Sequence, residues 1–196
     1  MRSHLTVTTE PTELPMSFAD MRHQLRQVDH MSDTQIRRDM LAARKLIENA
    51  TGRVFTTTSY RWELDAFPGR EIILPKTPYV SAGFQIDYYA PNLGAPVTVT
   101  SSDYEVHDRG ELPAIVELDS DKTWPATQDR LDAVQIIFVS GYGSIGLVPA
   151  NMQRALVALT RFWFENPDTA GRMTKELEFS LTALIDSLKT GQHVAI

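Results

Sequence analysis

The chain has 196 residues, no cysteine and a formal net charge of −6. The lack of thiols excludes disulfide frameworks, zinc ribbons and cysteine nucleophiles, while 42% hydrophobic and 22% charged residues suit a chain that folds around a core. The acidic excess lies wholly in the middle: residues 51–146 hold thirteen acidic and seven basic side chains, whereas residues 1–50 hold seven of each and 147–196 five of each. A nucleic-acid binder that grips phosphates needs clustered basic charge, the opposite sign.

No stretch approaches the ~18 apolar residues of a membrane span, and the polar start of the chain lacks the apolar core of a signal peptide. The expectation is a protein made in a cytoplasm, with no membrane partner.

Residues 1–15 read as a flexible N-terminal arm, because Pro11, Pro15 and Glu10 oppose a central strand. Ser17 can cap a short helix over 17–28, with Phe18, Met21, Leu25 and Val28 at helical spacing. The next helix, 32–51, is the clearest local signal. Ser32 and Gln35 form a capping-box pattern, Met31 and Ile36 stand at staple positions, and Ile36, Met40, Ala43 and Ile47 make the apolar stripe. Arg37, Arg38, Arg44 and Lys45 occupy the other side, and Gly52 is a natural left-handed stop.

From Arg53 the period changes. The run Val54–Trp62 is β-branched and aromatic, and further short strands are predicted at 71–75, 84–89, 97–100, 104–107, 115–117 and 134–139. Their spacing of roughly ten residues predicts an antiparallel sheet or barrel-like insertion over 53–140. Pro149 then opens a helix over 149–166 carrying Met152, Leu156, Leu159 and Trp163, with Ala155 and Phe162 beside them. A last helix over 169–189 has the stripe Met173, Leu177, Leu181, Leu184 and Leu188, followed by a tail over 190–196. The fold class is α+β: a small bundle of about four helices, with the β insertion between the second and third.

The chemical motifs are few. Gly141, Gly143 and Gly146 spell Gly-x-Gly-x-x-Gly after a strand, which raises a small nucleotide-binding enzyme as one alternative. In the dinucleotide fold, however, the third glycine lies inside the helix and a second parallel strand follows. Here Leu147-Val148-Pro149 delays the helix, and only helices follow. The five histidines are dispersed, and Glu117, Asp119 and Asp121 lack the glycine and closing glutamate of a calcium loop. No catalytic, metal or cofactor site is expected. A second alternative is a helical nucleic-acid binder using the basic face of helix 32–51. Aromatic residues in or near turns (Trp62, Phe67, Tyr79, Tyr88, Tyr89, Trp124 and Tyr142) can serve as local core or as contact surface.

Several segments together resemble the head–tail connector (adaptor) proteins of tailed bacteriophages and phage-like gene transfer agents. They are the helix closing in Thr51-Gly-Arg, then Trp62-Glu-Leu-Asp-Ala-Phe-Pro, Ile72-Ile-Leu-Pro, Asp103-Tyr-Glu-Val, Trp124-Pro-Ala-Thr, Asp132–Gly143, Val148-Pro and Phe162-Trp-Phe-Glu-Asn. The likeness spans about residues 17–166 and lies in their order and spacing. It implies a non-enzymatic subunit of a virion or phage-like particle, made in a bacterial cytoplasm. Such a subunit forms a dodecameric ring beneath the portal protein, extends the channel through which DNA passes, and docks the stopper, or head-completion, protein. It further implies portal contacts from the C-terminal helix and tail, here Leu184, Leu188, His193, Val194 and Ile196.

Overall fold

The computed structural model describes residues 2–11, 13–25, 33–166 and 175–189. The chain divides into two compact units, a β unit of Met1–Pro11 and Thr57–Gly141 and a helical unit of Thr12–Thr56 and Tyr142–Ile196. The class is α+β.

In the helical unit, α1 (Phe18–Leu25) starts where Ser17 Oγ accepts the Asp20 N–H at 3.1 Å. The predicted extension to residue 28, the Ser32 cap and the Met31 staple lie outside the described residues. Helix α2 (Asp33–Thr51) buries Ile36, Met40, Ala43 and Ile47 and ends at Gly52, whose φ of 73° suits a residue without Cβ. Helix α3 (Ala150–Glu165) follows Pro149, which stands at the N-cap, and α4 (Lys175–Lys189) closes the unit. Helices α2, α3 and α4 pack on one another, and α1 packs on α2 and α3. Their shared core includes Met152, Leu156, Leu159, Leu181 and Leu188. Met152, Leu156 and Leu159 of the predicted α3 stripe are fully buried, and only its last member departs: Trp163 is partly buried, and Phe162, 8% exposed, is the more buried of the two at that end. Of the predicted α4 stripe, Met173 and the Leu177 side chain are outside the described set.

The β unit holds two antiparallel sheets where the sequence predicts a sheet or barrel-like insertion. Strands β1 (Ser3–Thr9), β2 (Thr58–Leu64), β4 (Tyr79–Tyr88), β5 (Val97–Thr98) and β8 (Val134–Ser140) form a five-stranded sheet in the order β1-β2-β8-β4-β5. Strands β3 (Glu71–Ile73), β6 (Tyr104–Arg109) and β7 (Leu112–Leu118) form a second sheet in the order β3-β7-β6. Alternation along β8 buries Val134, Ile136, Phe138 and Ser140, and Phe138 stacks on Tyr60 with centroids 5.4 Å apart.

Two predictions need correction here. The supposed N-terminal arm contains β1, which pairs with β2 from Ser3↔Leu64 to Thr9↔Ser59. All of its residues except Leu5 are exposed, so an edge strand of this kind leaves no burial period in the sequence, and both prolines lie beyond its end. Val54 and Phe55, assigned by composition to the first strand, are fully buried before it begins, and Phe55 belongs to the helical core. Packing overrides their β-propensity.

Candidate interaction surfaces

The glycine-rich stretch forms the exit from β8. Strand β8 is antiparallel to both its neighbours, β2 and β4, and α3 begins four residues after Gly146. No βαβ unit therefore surrounds the glycines among the described residues. Gly141 donates to the Pro78 carbonyl at 2.9 Å and Tyr142 to the Val54 carbonyl at 3.1 Å. Gly143, at φ 82°, turns the chain into a single 3-10 turn (Ile145–Leu147), and Gln153 Nε2 ties that turn to α3 by donating to the Ile145 and Val148 carbonyls. The motif is a turn held by its backbone.

A buried polar network lies beside it. Glu48 Oε1 accepts both Arg44 Nε and the Phe55 N–H at 2.9 Å. Arg53 donates from Nε to the Leu188 carbonyl at 3.1 Å and from Nη1 to the Tyr142 hydroxyl at 2.6 Å. A guanidinium on a last-turn carbonyl satisfies an acceptor the helix leaves open and suits its dipole. Burial raises the Tyr142 pKa, and the Arg53 charge and hydrogen bond partly oppose that.

This network corrects the reading of a four-residue basic face on α2. Arg44 is 7% exposed and paired with Glu48 in the interior, while Arg37, Arg38 and Lys45 face solvent. Beside them Leu41 and Leu46 are 39% and 38% exposed. Arg38 reaches Asp39 at 3.3 Å, and the Arg37 guanidinium lies 5.8 Å from the centre of the Phe18 ring.

The residues implicated in portal contact divide. Leu188 is 3% exposed and Leu184 packs against the helical core, so both side chains serve the bundle in this arrangement. His193, Val194 and Ile196 lie outside the described residues. On the outer side of α4, Phe179 is 77% exposed, a feature the stripe did not single out.

In the β unit Tyr79 is buried, while Trp62, Phe67, Tyr88, Tyr89 and Trp124 are half-buried, several of them in ring contacts. Phe67 and Trp124 stack with centroids 4.6 Å apart, and further ring contacts run Trp124–Tyr104–Phe84–Tyr79. Trp124 Nε1 donates to the Gly69 carbonyl at 2.6 Å. Asp65, Ala66 and residues 127–131 line a groove of about 630 Å³, where Asp65 accepts the Arg2 backbone N–H at 3.0 Å and Gln128 holds the Leu93 carbonyl at 2.7 Å. These polar groups tie loops together. Lys122 pairs with Asp103 at 3.2 Å, a hydrogen bond that raises the lysine pKa. Among the described residues no group of three or more His, Asp or Glu side chains is placed to hold a metal ion, and no described helix is long and apolar enough to cross a membrane.

One arrangement went unread in the sequence. Glu71 lies opposite Glu117, and Glu117 opposite Glu105, so three glutamates cross the β3-β7-β6 sheet in one row. The next row on the same face is Ile73, Ile115 and His107. Only the segments Glu71-Ile-Ile, Glu105-Val-His and Ile115-Val-Glu hinted at it, and their register cannot be read from any one of them.

No family model and no curated protein matches the chain. Solved structures do match, over nearly its whole length. A chain in the virion of a native gene transfer agent particle aligns with a TM-score of 0.77 and 19% identity, covering 94% of each chain. A chain in the neck of an empty particle of that kind, computed with sixfold symmetry, gives 0.75 and 20% over 95% of each. One in the neck of a native particle computed with twelvefold symmetry gives 0.74 and 22%, over 95% of this chain and 94% of that one. The protein has the fold of these chains, helical and β units together.

Proposed function

We propose that the protein is a structural head–tail adaptor. Copies of it form a ring beneath the portal of a tailed-phage-like particle, extend the DNA channel and receive the stopper protein. The observation that carries this reading is a fold shared at TM-scores of 0.74–0.77 with chains from gene transfer agent necks and virions, with neither unit left over. The adaptor-like order of segments in the sequence supports it independently. A ring of about twelve copies agrees with that resemblance, and the acidic middle of the chain suits a surface that DNA passes without sticking.

Within this reading α4 is the stem and the residues after it are the portal contact. Leu184, Leu188 and the Arg53 bond to the Leu188 carbonyl hold the stem. His193, Val194 and Ile196 then make the contact. The test is reconstitution of the full chain with portal particles, viewed by electron microscopy. Added ring density beneath the portal is expected, and its absence would overturn the proposal. A chain truncated after Thr190 should keep its helical ellipticity and urea midpoint but decorate portals weakly. Normal decoration would remove the tail from the contact.

A further inference from the structure

We infer that the outer face of α2 in one copy docks across the outer face of the β3-β7-β6 sheet in the next. The inference rests on the ring reading and names the contact that would build the ring.

The sheet face alone is poorly balanced. Like charges directly opposite one another on neighbouring strands destabilise the pairing, and here three stand in a row, Glu71, Glu117 and Glu105. Arg70 at 3.9 Å offsets Glu117 in part, and the His107 ring lies 3.2 Å from Glu117 and 3.9 Å from Glu105. Glu105 keeps a side chain 73% exposed, and Glu71 is exposed with no ionic partner among the described residues. Beside this row Ile73 is 43% exposed. The face thus presents an acidic line flanked by the isoleucines Ile73 and Ile115.

Helix α2 presents the complement. Arg38 and Lys45 are seven residues apart, two turns, so they lie on one line of its exposed side, and Leu41 lies between them and slightly to one flank. The Arg38 side chain is 72% exposed, and Lys45 has no ionic partner among the described residues. The dimensions agree. Seven residues of helix rise about 10.5 Å, and two inter-strand steps span about 9.6 Å. A helix laid across the strands therefore sets its two cations over the acidic row, while Leu41 meets the isoleucines. Because the two faces belong to different parts of the chain, the contact is head-to-tail. Such contacts propagate, and close into a ring when the rotation allows.

The chain has no cysteine, so introduced thiols report contacts cleanly. Leu41→Cys and Glu117→Cys mark the middle of each row and do not depend on the direction of the helix. The two full-length variants are mixed and mildly oxidised, both free at high concentration and on portal particles. A disulfide joining the two different variants is expected, suppressed by high salt in the free protein. Rings on portals without that disulfide would overturn this contact and leave the adaptor reading intact. The mixed disulfide without rings would uphold the contact and overturn the adaptor reading. Disulfides only between identical variants would mean a two-fold contact and overturn the inference. In a second measurement, Arg38→Glu with Lys45→Glu should weaken self-association about tenfold or more by sedimentation. Adding Glu71→Lys and Glu105→Lys in the same chain should restore it. Unchanged association of the first double variant would also overturn the proposal.

Discussion

The two units differ in where they place charge. The helical unit keeps exposed pairs such as Arg161–Glu165 but also buries charge: Arg44, Glu48 and Arg53 are each no more than 9% exposed, and each is hydrogen-bonded to backbone or to another side chain inside the bundle. The β unit keeps its charge near solvent, as in the pairs Arg70–Glu117 and Lys122–Asp103, and holds together through strand register and stacked rings. A buried, fully partnered charge fixes one arrangement and makes its loss costly, whereas a screened surface pair does little for stability. The helical unit is therefore the unforgiving one toward loss of a charge, and the β unit is left free to vary its surface charge for contacts with other molecules.

The sharpest break of this contrast is a pair of glutamates. Glu48→Ala removes the acceptor of the buried Arg44 Nε and of the Phe55 N–H, and should cost about 3–5 kcal/mol. Glu117→Ala, at a half-exposed site, should cost less than about 1 kcal/mol. Urea denaturation followed by helical ellipticity and by tryptophan fluorescence separates them, because Trp163 lies in the helical unit and Trp62 and Trp124 in the β unit. Equal costs would dissolve the contrast. Apolar packing gives the β unit its own sensitive point: Phe138→Ala, at a fully buried site in the centre of the sheet, should cost about 3–5 kcal/mol. Tyr142→Phe leaves Arg53 Nη1 without that acceptor and should cost about 1–3 kcal/mol, with faster hydrogen exchange in the last turn of α4. Trp163→Ala, only partly buried, should fall near 1–2 kcal/mol, about what its covered apolar area supports.

The sequence revealed most where one physical signal dominated. The stripe Ile36-Met40-Ala43-Ile47 placed α2 because a helix buried on one side must repeat its apolar residues at helical spacing. Strand β8 was legible because alternate residues are buried in the middle of a sheet. Strand β1 was not, because nearly all of it is exposed and its defining partner is Ser59–Leu64, 50 to 61 positions along the chain. Arg44 carries the same side chain as Arg37, and only the approach of Glu48 and the fold around them makes one interior and the other exterior. The acidic row was hidden for a similar reason. Each strand shows one glutamate, and only the register of three strands aligns them.

The contrast has a smaller expression in alkaline solution. Burial raises the pKa of Tyr142 in the helical unit, with Arg53 opposing it. In the β unit burial raises Tyr79 and Tyr104, and nearby negative charge adds to the shift: Tyr104 and Asp108 act on Tyr79, and Asp87 on Tyr104. An unfolded tyrosine titrates near about pH 10. A folded pKa above that value means the folded state holds its proton longer. The stabilisation is complete below the unfolded pKa and is lost as pH rises through the folded one, with unfolding releasing protons in that window. Both units should keep their urea midpoints up to about pH 9 and lose stability above about pH 10. The β unit should fall more steeply, having two such tyrosines, each raised both by burial and by nearby negative charge. Variants retaining only Trp163 or only Trp124 report each unit in turn, and Tyr104→Phe should flatten the alkaline limb of the β unit alone. An equal slope in both units would mean that the Arg53 contact does not moderate Tyr142.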